Sequence, residues 1–364
     1  MEGVPVTKIR LLDRLFLVGP PGIGKTEIIR QLAENEARAL GRKFVDLREA
    51  DKKVFEEIER NPQQYYVFLR VIAPHIFPED IAIPRQTAQD RVEMLPLSYW
   101  KIMSLPGIAG VLFIDEITNV KREDQLSMLF SLILEKELSY GIKLSNGIKI
   151  IAAGNPTEWS EVATPMPKPL RAGRLIRVNV KPPSVDEWAE YMSRKYGDRW
   201  DKRIYAVLKA FPSMFMTMPE NDDDHIACPR SWTILATLLP EVNDGSFLEE
   251  IVIGTVGRKA GALILSILKT NEDVEALARQ FIEYPDVFKS FDASRKVLVI
   301  WRLSQVNEVQ KLKKPIQWLA KNDSEWLVVL LLMMPRQVRA GIIASMKTEL
   351  QEFLERLKRL VVNA

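Results

Sequence analysis

The sequence predicts an α/β core, a parallel sheet with helices on both faces, followed by an all-helical part. Three observations predict it. Through the first half of the 364-residue chain, short and nearly continuous apolar runs alternate with stretches of helical periodicity, the pattern of strands buried on both faces. A glycine-rich loop joins the first of these runs to a helix. After "KPPSVDEW", Lys181 to Trp188, the helical period continues toward the C-terminus with no convincing strand.

The elements follow in order. "RLFLVG" (Arg14 to Gly19) is a short apolar strand ending in the loop, and "TEIIRQLAENEARALG" (Thr26 to Gly41) is a helix with a glycine stop. "KFVDL" and "YYVFLRVIA" are strands around a charged helix from Lys52 to Arg60. "GVLFIDEI" begins at Gly110, and "IKIIAAGNP" lies between Gly147 and Pro156; both are bounded apolar runs and predict buried strands. "LIRVNV" closes the series. The turn "SNGIK" at Ser145 to Lys149, with "LSYGIKL" before it, predicts a β-hairpin entering the strand of Asn155. The helical part begins near Val185.

Composition narrows the function classes. Hydrophobic residues at 47% and charged residues at 27% are those of a globular chain with a sizeable core. Lysine and arginine exceed aspartate and glutamate by only 3, so charge makes no global case for nucleic acid or membrane. The single cysteine, Cys228, excludes an internal disulfide framework, and with 2 histidines no structural zinc set is expected. A reducing, cytoplasmic setting fits, and no basic segment with an apolar stretch opens the chain. The apolar run "WLVVLLLMM" (Trp326 to Met334), closed by Pro335, has about half the length of a membrane span and predicts a core helix. The acidic stretch "PENDDDHIACP" reads as a solvated loop. His75, His225 and Cys228 form no nucleophilic arrangement, and Trp318 and Trp326 have the spacing of core residues.

Chemistry concentrates in three segments. "GPPGIGKT" satisfies G-x-x-x-x-G-K-[ST] between a strand and a helix. Gly19, Pro20, Pro21, Gly22, Ile23 and Gly24 are expected to form the loop around phosphate, where Gly19, Gly22 and Gly24 let the backbone turn its N–H groups inward, while Lys25, Thr26 and Glu27 open the helix whose positive end faces the same point. Lys25 is expected to reach the terminal phosphates and Thr26 to supply an oxygen to Mg2+. "VLFIDE" brings Asp115 to the carboxyl end of a buried strand, toward the metal, with Glu116 as base for an attacking water. "IIAAGNP" ends in Asn155, a neutral amide able to donate to a phosphate or hold that water.

The spacing of "GPPGIGKT", "LFIDE" and "AAGNP" resembles the AAA+ ATPases, P-loop NTPases, and within them the MoxR-type branch, similar to magnesium chelatase subunits and McrB-like motors. "FPEDIAIPR" (Phe77 to Arg85) looks like that branch's segment after the second core strand, with Ala82 where a glycine is usual. The resemblance spans roughly Lys8 to Gly261. It implies ATP and Mg2+ as cofactors, an ATPase core over residues 1–183, a helical lid over 184–270, and a helical C-terminal extension over 271–364. It also implies that Arg174, or Arg171 one turn away, reaches the neighbouring subunit's nucleotide, and that Arg230 in "ACPRSW" is a sensor on the lid. The partners it implies are identical subunits in a ring, a hexamer, and a protein carrying a von Willebrand factor A type domain. The hairpin near Tyr140 to Ser145 and the loop from Arg85 to Pro96 would face the pore.

Two other functions share this core. A nucleic-acid motor or loader acting on DNA draws support from Lys136, Lys143 and Lys149, weakened by Glu135 and Glu137. A nucleotide-regulated binding module that barely turns over is the third, and Glu116, Asn155 and Arg174 argue against it. Amphipathic helices of the tail, including "LQEFLERLKRL", are expected to pack within the chain.

Overall fold

A computed structural model describes residues 3–86, 92–160, 163–165, 175–218, 224–242, 245–270 and 272–346. The chain divides into two compact units, Met1–Pro182 and Pro183–Ala364.

The first unit is built on strands β1 (Val4–Pro5), β2 (Leu15–Val18), β3 (Lys43–Asp46), β4 (Tyr65–Ile72), β7 (Ala109–Asp115), β8 (Gly147–Gly154) and β9 (Ile176–Lys181), in the order β1-β9-β2-β8-β7-β4-β3. Every pairing in this sheet is parallel. The apolar runs are continuous because both faces are covered. In β7, Leu112 and Ile114 join a cluster with Trp100 of helix α3 (Ser98–Met103) and Leu129 and Leu132 of α4 (Glu123–Glu135). The alternate residues of the strands face α1 (Lys25–Ala39), where Tyr66 donates its hydroxyl to Glu36 at 2.9 Å. Val111, Leu112, Phe113 and Ile114 are all fully buried, each such side chain contributing about 1.5–3 kcal/mol relative to exposure.

Two local expectations change. Ser145 to Lys149 does hold a turn, the Ile148 N–H donating to the Ser145 carbonyl at 3.0 Å, but the hairpin itself closes at Ser139–Gly141. There Tyr140 and Gly141 both have positive φ, and Leu138 donates to Ile142 at 2.8 Å, so the tight turn lies inside "LSYGIKL". Ser145 to Gly147 instead leads into β8, which is parallel to β7. The stretch from Arg85 to Pro96, expected to be a loop, begins inside β5 (Ala82–Gln86) and ends with β6 (Val92–Pro96), which pair as an antiparallel ribbon; alternation is hidden there by Pro84 and Pro96.

The second unit is helical. The helix Val185–Tyr196 starts with a capping box in which Ser184 and Glu187 satisfy each other's backbone N–H groups. One apolar cluster runs from Val185 to Met346, and the helix Ala293–Ser304 packs on Arg203–Ala210, Val274–Glu283 and Ser324–Met333. Trp318 and Trp326 lie 5.8 and 6.2 Å from the buried Phe288 ring, and Phe281 stacks on it at 4.6 Å. The run at Trp326 is a core helix, with Leu327, Val329, Leu330 and Leu331 fully buried. Phe247–Leu268 has the length and mean hydropathy, 1.7, of a membrane crossing; 44% of it is buried and it is interrupted at Gly257. Of the acidic stretch, Asp224 is not simply solvated: its carboxylate accepts from the backbone N–H of Arg258 at 3.0 and 3.2 Å. The "LQEFLERLKRL" segment lies outside the described residues.

Candidate functional site

Strand register assembles the site. Val18 pairs with Gly154, so the loop after β2 and Asn155 after β8 emerge side by side; one strand further, β7 ends at Asp115 opposite Ile72 of β4. In a parallel sheet the carboxyl ends of such strands form the ligand crevice. The loop itself needs its glycines. Gly24 caps α1 in the left-handed region at φ 94°, and a Cβ on Gly19 would stand 2.5 Å from the Val180 carbonyl oxygen.

Lys25 is buried, with 8% of its surface exposed. Its ammonium donates to the carbonyls of Gly19 at 2.7 Å and Pro20 at 2.8 Å, and to Asn155 Oδ1 at 3.0 Å. The lysine and the strand-end amide therefore meet at the mouth of the loop. With its oxygen turned to Lys25, the Asn155 amide keeps its NH2 group for an acceptor. Thr26 donates its hydroxyl to Asp115 Oδ2 at 3.2 Å across 89 positions of sequence.

Glu116 follows in a left-handed conformation, φ 58° and ψ 31°, which costs a non-glycine residue roughly 1–2 kcal/mol. Such local strain is characteristic of working sites. Its backbone N–H donates to Asp115 Oδ1 at 3.0 Å, and Asn119 Nδ2 donates to its carboxylate at 3.3 Å. The carboxylate is thus half-buried and held beside the strand end rather than free in solvent. Asn119 Oδ1 is buried without a hydrogen-bond partner among the described residues. Thr118 links the two strand ends: its hydroxyl accepts from the Asn155 N–H at 3.2 Å, and its carbonyl accepts from Thr164 N–H at 2.8 Å.

Pro20 and Gly22 are buried within the loop, while Ile23 is 1% exposed and anchors it to the core. Glu27, in the first turn of α1, accepts from Gln31 at 3.1 Å. Arg230 is exposed in the first turn of the helix Pro229–Leu238 of the second unit. Arg171 and Arg174 lie outside the described residues.

Thr118 and Arg70 both escaped the sequence reading. Arg70 of β4 donates through Nε at 3.1 Å and Nη2 at 2.8 Å to Asp115 Oδ2. Arg70 stands opposite Phe113, so it shares a face with Asp115 two residues on. Its signal was available: it is the only charge in the strand "YYVFLRVI", and a charge in a doubly covered strand requires a partner.

The AAA family model, the ATPase family associated with various cellular activities, matches residues 15–180. A search of curated proteins finds no match to this sequence. Among solved structures, the chain is similar to the RuvB Holliday junction branch migration motor of Thermotoga maritima, at 17% identity over 76% of this chain and 70% of that one, TM-score 0.35. It is also similar to NtrX from Brucella abortus in complex with ADP, at 15% identity over 94% and 66%, TM-score 0.37. The Aeropyrum pernix ORC2 protein matches at 12% identity over 96% and 80%, TM-score 0.32. These structural likenesses are too distant to bear on function. The family match and the parallel sheet, with its phosphate loop and acidic strand end, agree: residues 15–180 are a nucleotide-binding ATPase domain of the AAA family.

Proposed function

We propose that this ATPase is a MoxR-like AAA+ enzyme, acting as a ring, hexameric in its branch, whose Mg2+-dependent ATP hydrolysis remodels or assembles a protein partner. The observation that carries the catalytic part is the convergence of Lys25, Thr26, Asp115 and Asn155, from three separate segments, within hydrogen-bond distance at one sheet edge. The MoxR-like part rests on the resemblance of "FPEDIAIPR" and of the motif spacing, which also suggests a partner with a von Willebrand factor A type domain.

In this reading the loop N–H groups and Lys25 neutralise the phosphates, Lys25 exchanging its carbonyl acceptors for phosphate oxygens. Thr26 and Asp115, hard oxygen donors that already converge, would hold Mg2+, which supplies charge neutralisation between the phosphates. Glu116 takes the proton of the attacking water, and Asn155 positions that water or the terminal phosphate. Arg174, or Arg171 in its place, completes the neighbouring subunit's site. Arg230 carries the loss of phosphate to the helical unit.

No specific observation favours the DNA motor. Lys136, Lys143 and Lys149 are paired within the domain with Asp13, Glu137 and Glu36. ATP hydrolysis measured against protein concentration, with and without single-stranded and duplex DNA, tests the proposal. The expected result is a rate that rises with assembly, ignores DNA, and falls roughly a hundredfold or more in Glu116→Gln and in Arg174→Ala. A severalfold stimulation by DNA would transfer the assignment to a nucleic-acid motor. A rate independent of both concentration and Arg174 would overturn the ring.

A further inference from the structure

We infer that Arg70 is a positioning residue that stands in for the divalent cation at Asp115 in the metal-free site and is displaced when the metal loads. The inference rests on the nucleotide-site reading above. It begins with the crowding of one oxygen. Asp115 Oδ2 accepts from Arg70 Nε at 3.1 Å, Arg70 Nη2 at 2.8 Å and Thr26 Oγ1 at 3.2 Å, whereas among the described residues Oδ1 accepts only the Glu116 N–H at 3.0 Å.

A carboxylate with 11% of its side chain exposed needs a counter-charge. Arg70 supplies it when no metal is bound. The oxygen that the guanidinium grips is the one shared with Thr26, which marks the place where the two expected metal ligands meet. A doubly charged cation arriving there is repelled by the guanidinium and makes its compensation redundant. Of the three donors, Arg70 is the one able to leave: its side chain is 33% exposed, with a path to solvent, while the Thr26 hydroxyl is itself a ligand for the cation. Arg70 therefore holds Asp115 in place between turnovers and sets the Mg2+ concentration at which the nucleotide site is completed.

The test uses binding rather than turnover. A fluorescent ADP analogue is titrated at rising Mg2+ against the full chain and its Arg70→Ala and Arg70→Lys variants, and thermal unfolding is followed in EDTA and in saturating Mg2+ and ADP. The expected result is a Mg2+ midpoint roughly fivefold to thirtyfold lower in Arg70→Ala. Arg70→Lys, which keeps the charge but loses the two-pronged grip, should fall between. Arg70→Ala should also unfold earlier in EDTA but match the wild type once Mg2+ and ADP are bound. An unchanged Mg2+ midpoint with equal loss of stability in both conditions would make Arg70 merely structural and overturn the proposal. Weaker ADP binding of Arg70→Ala in EDTA would make it a nucleotide contact instead, and overturn it equally. If the wild type binds ADP with no response to Mg2+, the metal site itself fails, and the competition with it.

Discussion

The two units bury polar groups in opposite ways. In the helical unit two buried serines are punctuation, satisfied by near neighbours: Ser231 Oγ bonds the Cys228 carbonyl three residues back, and Ser304 Oγ the Trp301 carbonyl; the buried Arg339, near Asp198, is the exception. In the sheet unit they reach across the chain. Lys25 meets Asn155 across 130 positions, Thr26 meets Asp115 across 89, and Gln125 bonds the Pro74 and Ile76 carbonyls from about 50 positions away. Local partners terminate helices and can form early in folding. Remote partners exist only once the sheet is in register, so the site is a property of the completed fold of the first unit.

The largest expected effect breaks the second unit without touching the site. Phe288 is fully buried at the centre of an aromatic group that includes Phe281, Trp318 and Trp326. Phe288→Ala should lower stability by about 3–5 kcal/mol, read as a shift of the urea midpoint of the near-ultraviolet aromatic signal. ADP affinity should hold under conditions where the protein remains folded. A parallel collapse of ADP binding would show that the contrast between the units is not functional.

A smaller effect sharpens the contrast from the other side. A Cβ on Gly154 would stand 2.5 Å from Thr118 Cγ2 and 2.9 Å from its hydroxyl, the group that holds the Asn155 N–H. Gly154→Ala should cost about 1–3 kcal/mol of stability through overpacking. Hydrolysis should drop well beyond that loss, because Asn155 is displaced with Thr118. If stability falls and the rate at saturating ATP does not, the Thr118 bridge has no part in positioning Asn155.

The same division explains what could be read in the sequence. The strands of the sheet and the loop at Gly19 to Thr26 are written in contiguous residues: apolar runs, glycines at fixed offsets, a lysine and a threonine. So are the helices, through their period and caps. Arg70 and Thr118 are different, since nothing local says that one reaches Asp115 or that the other ties Asn155 to Thr164; only the register of β4, β7 and β8 does. The two-residue strand β1 is too short to carry a pattern, and the ribbon of β5 and β6 is disguised by its prolines. Around Tyr140 two turns stand close together: "SNG", the stronger turn signal, turns the chain into β8, while the hairpin closes at "SYG", where Leu138 and Ile142 can pair.

The smallest effect compares two strand-end carboxylates of the one sheet. Asp115 is gripped by Arg70, whereas Asp46, at the end of β3, lies 3.4 Å from Arg30 Nε and accepts the Arg48 N–H at 3.1 Å. Burial, aided by the nearby Glu49, pushes the Asp46 carboxyl above the ordinary carboxylate range despite Arg30 and the Arg48 N–H. A folded-state value above the unfolded one means that the native protein binds the extra proton first, so stability is gained as pH falls through the raised value and lost as pH rises through it. Asp46→Asn removes that dependence. In urea unfolding, the wild type should therefore gain on Asp46→Asn as pH is lowered from neutrality toward the ordinary carboxylate value. The opposite trend would show that the Arg30 attraction outweighs burial at Asp46.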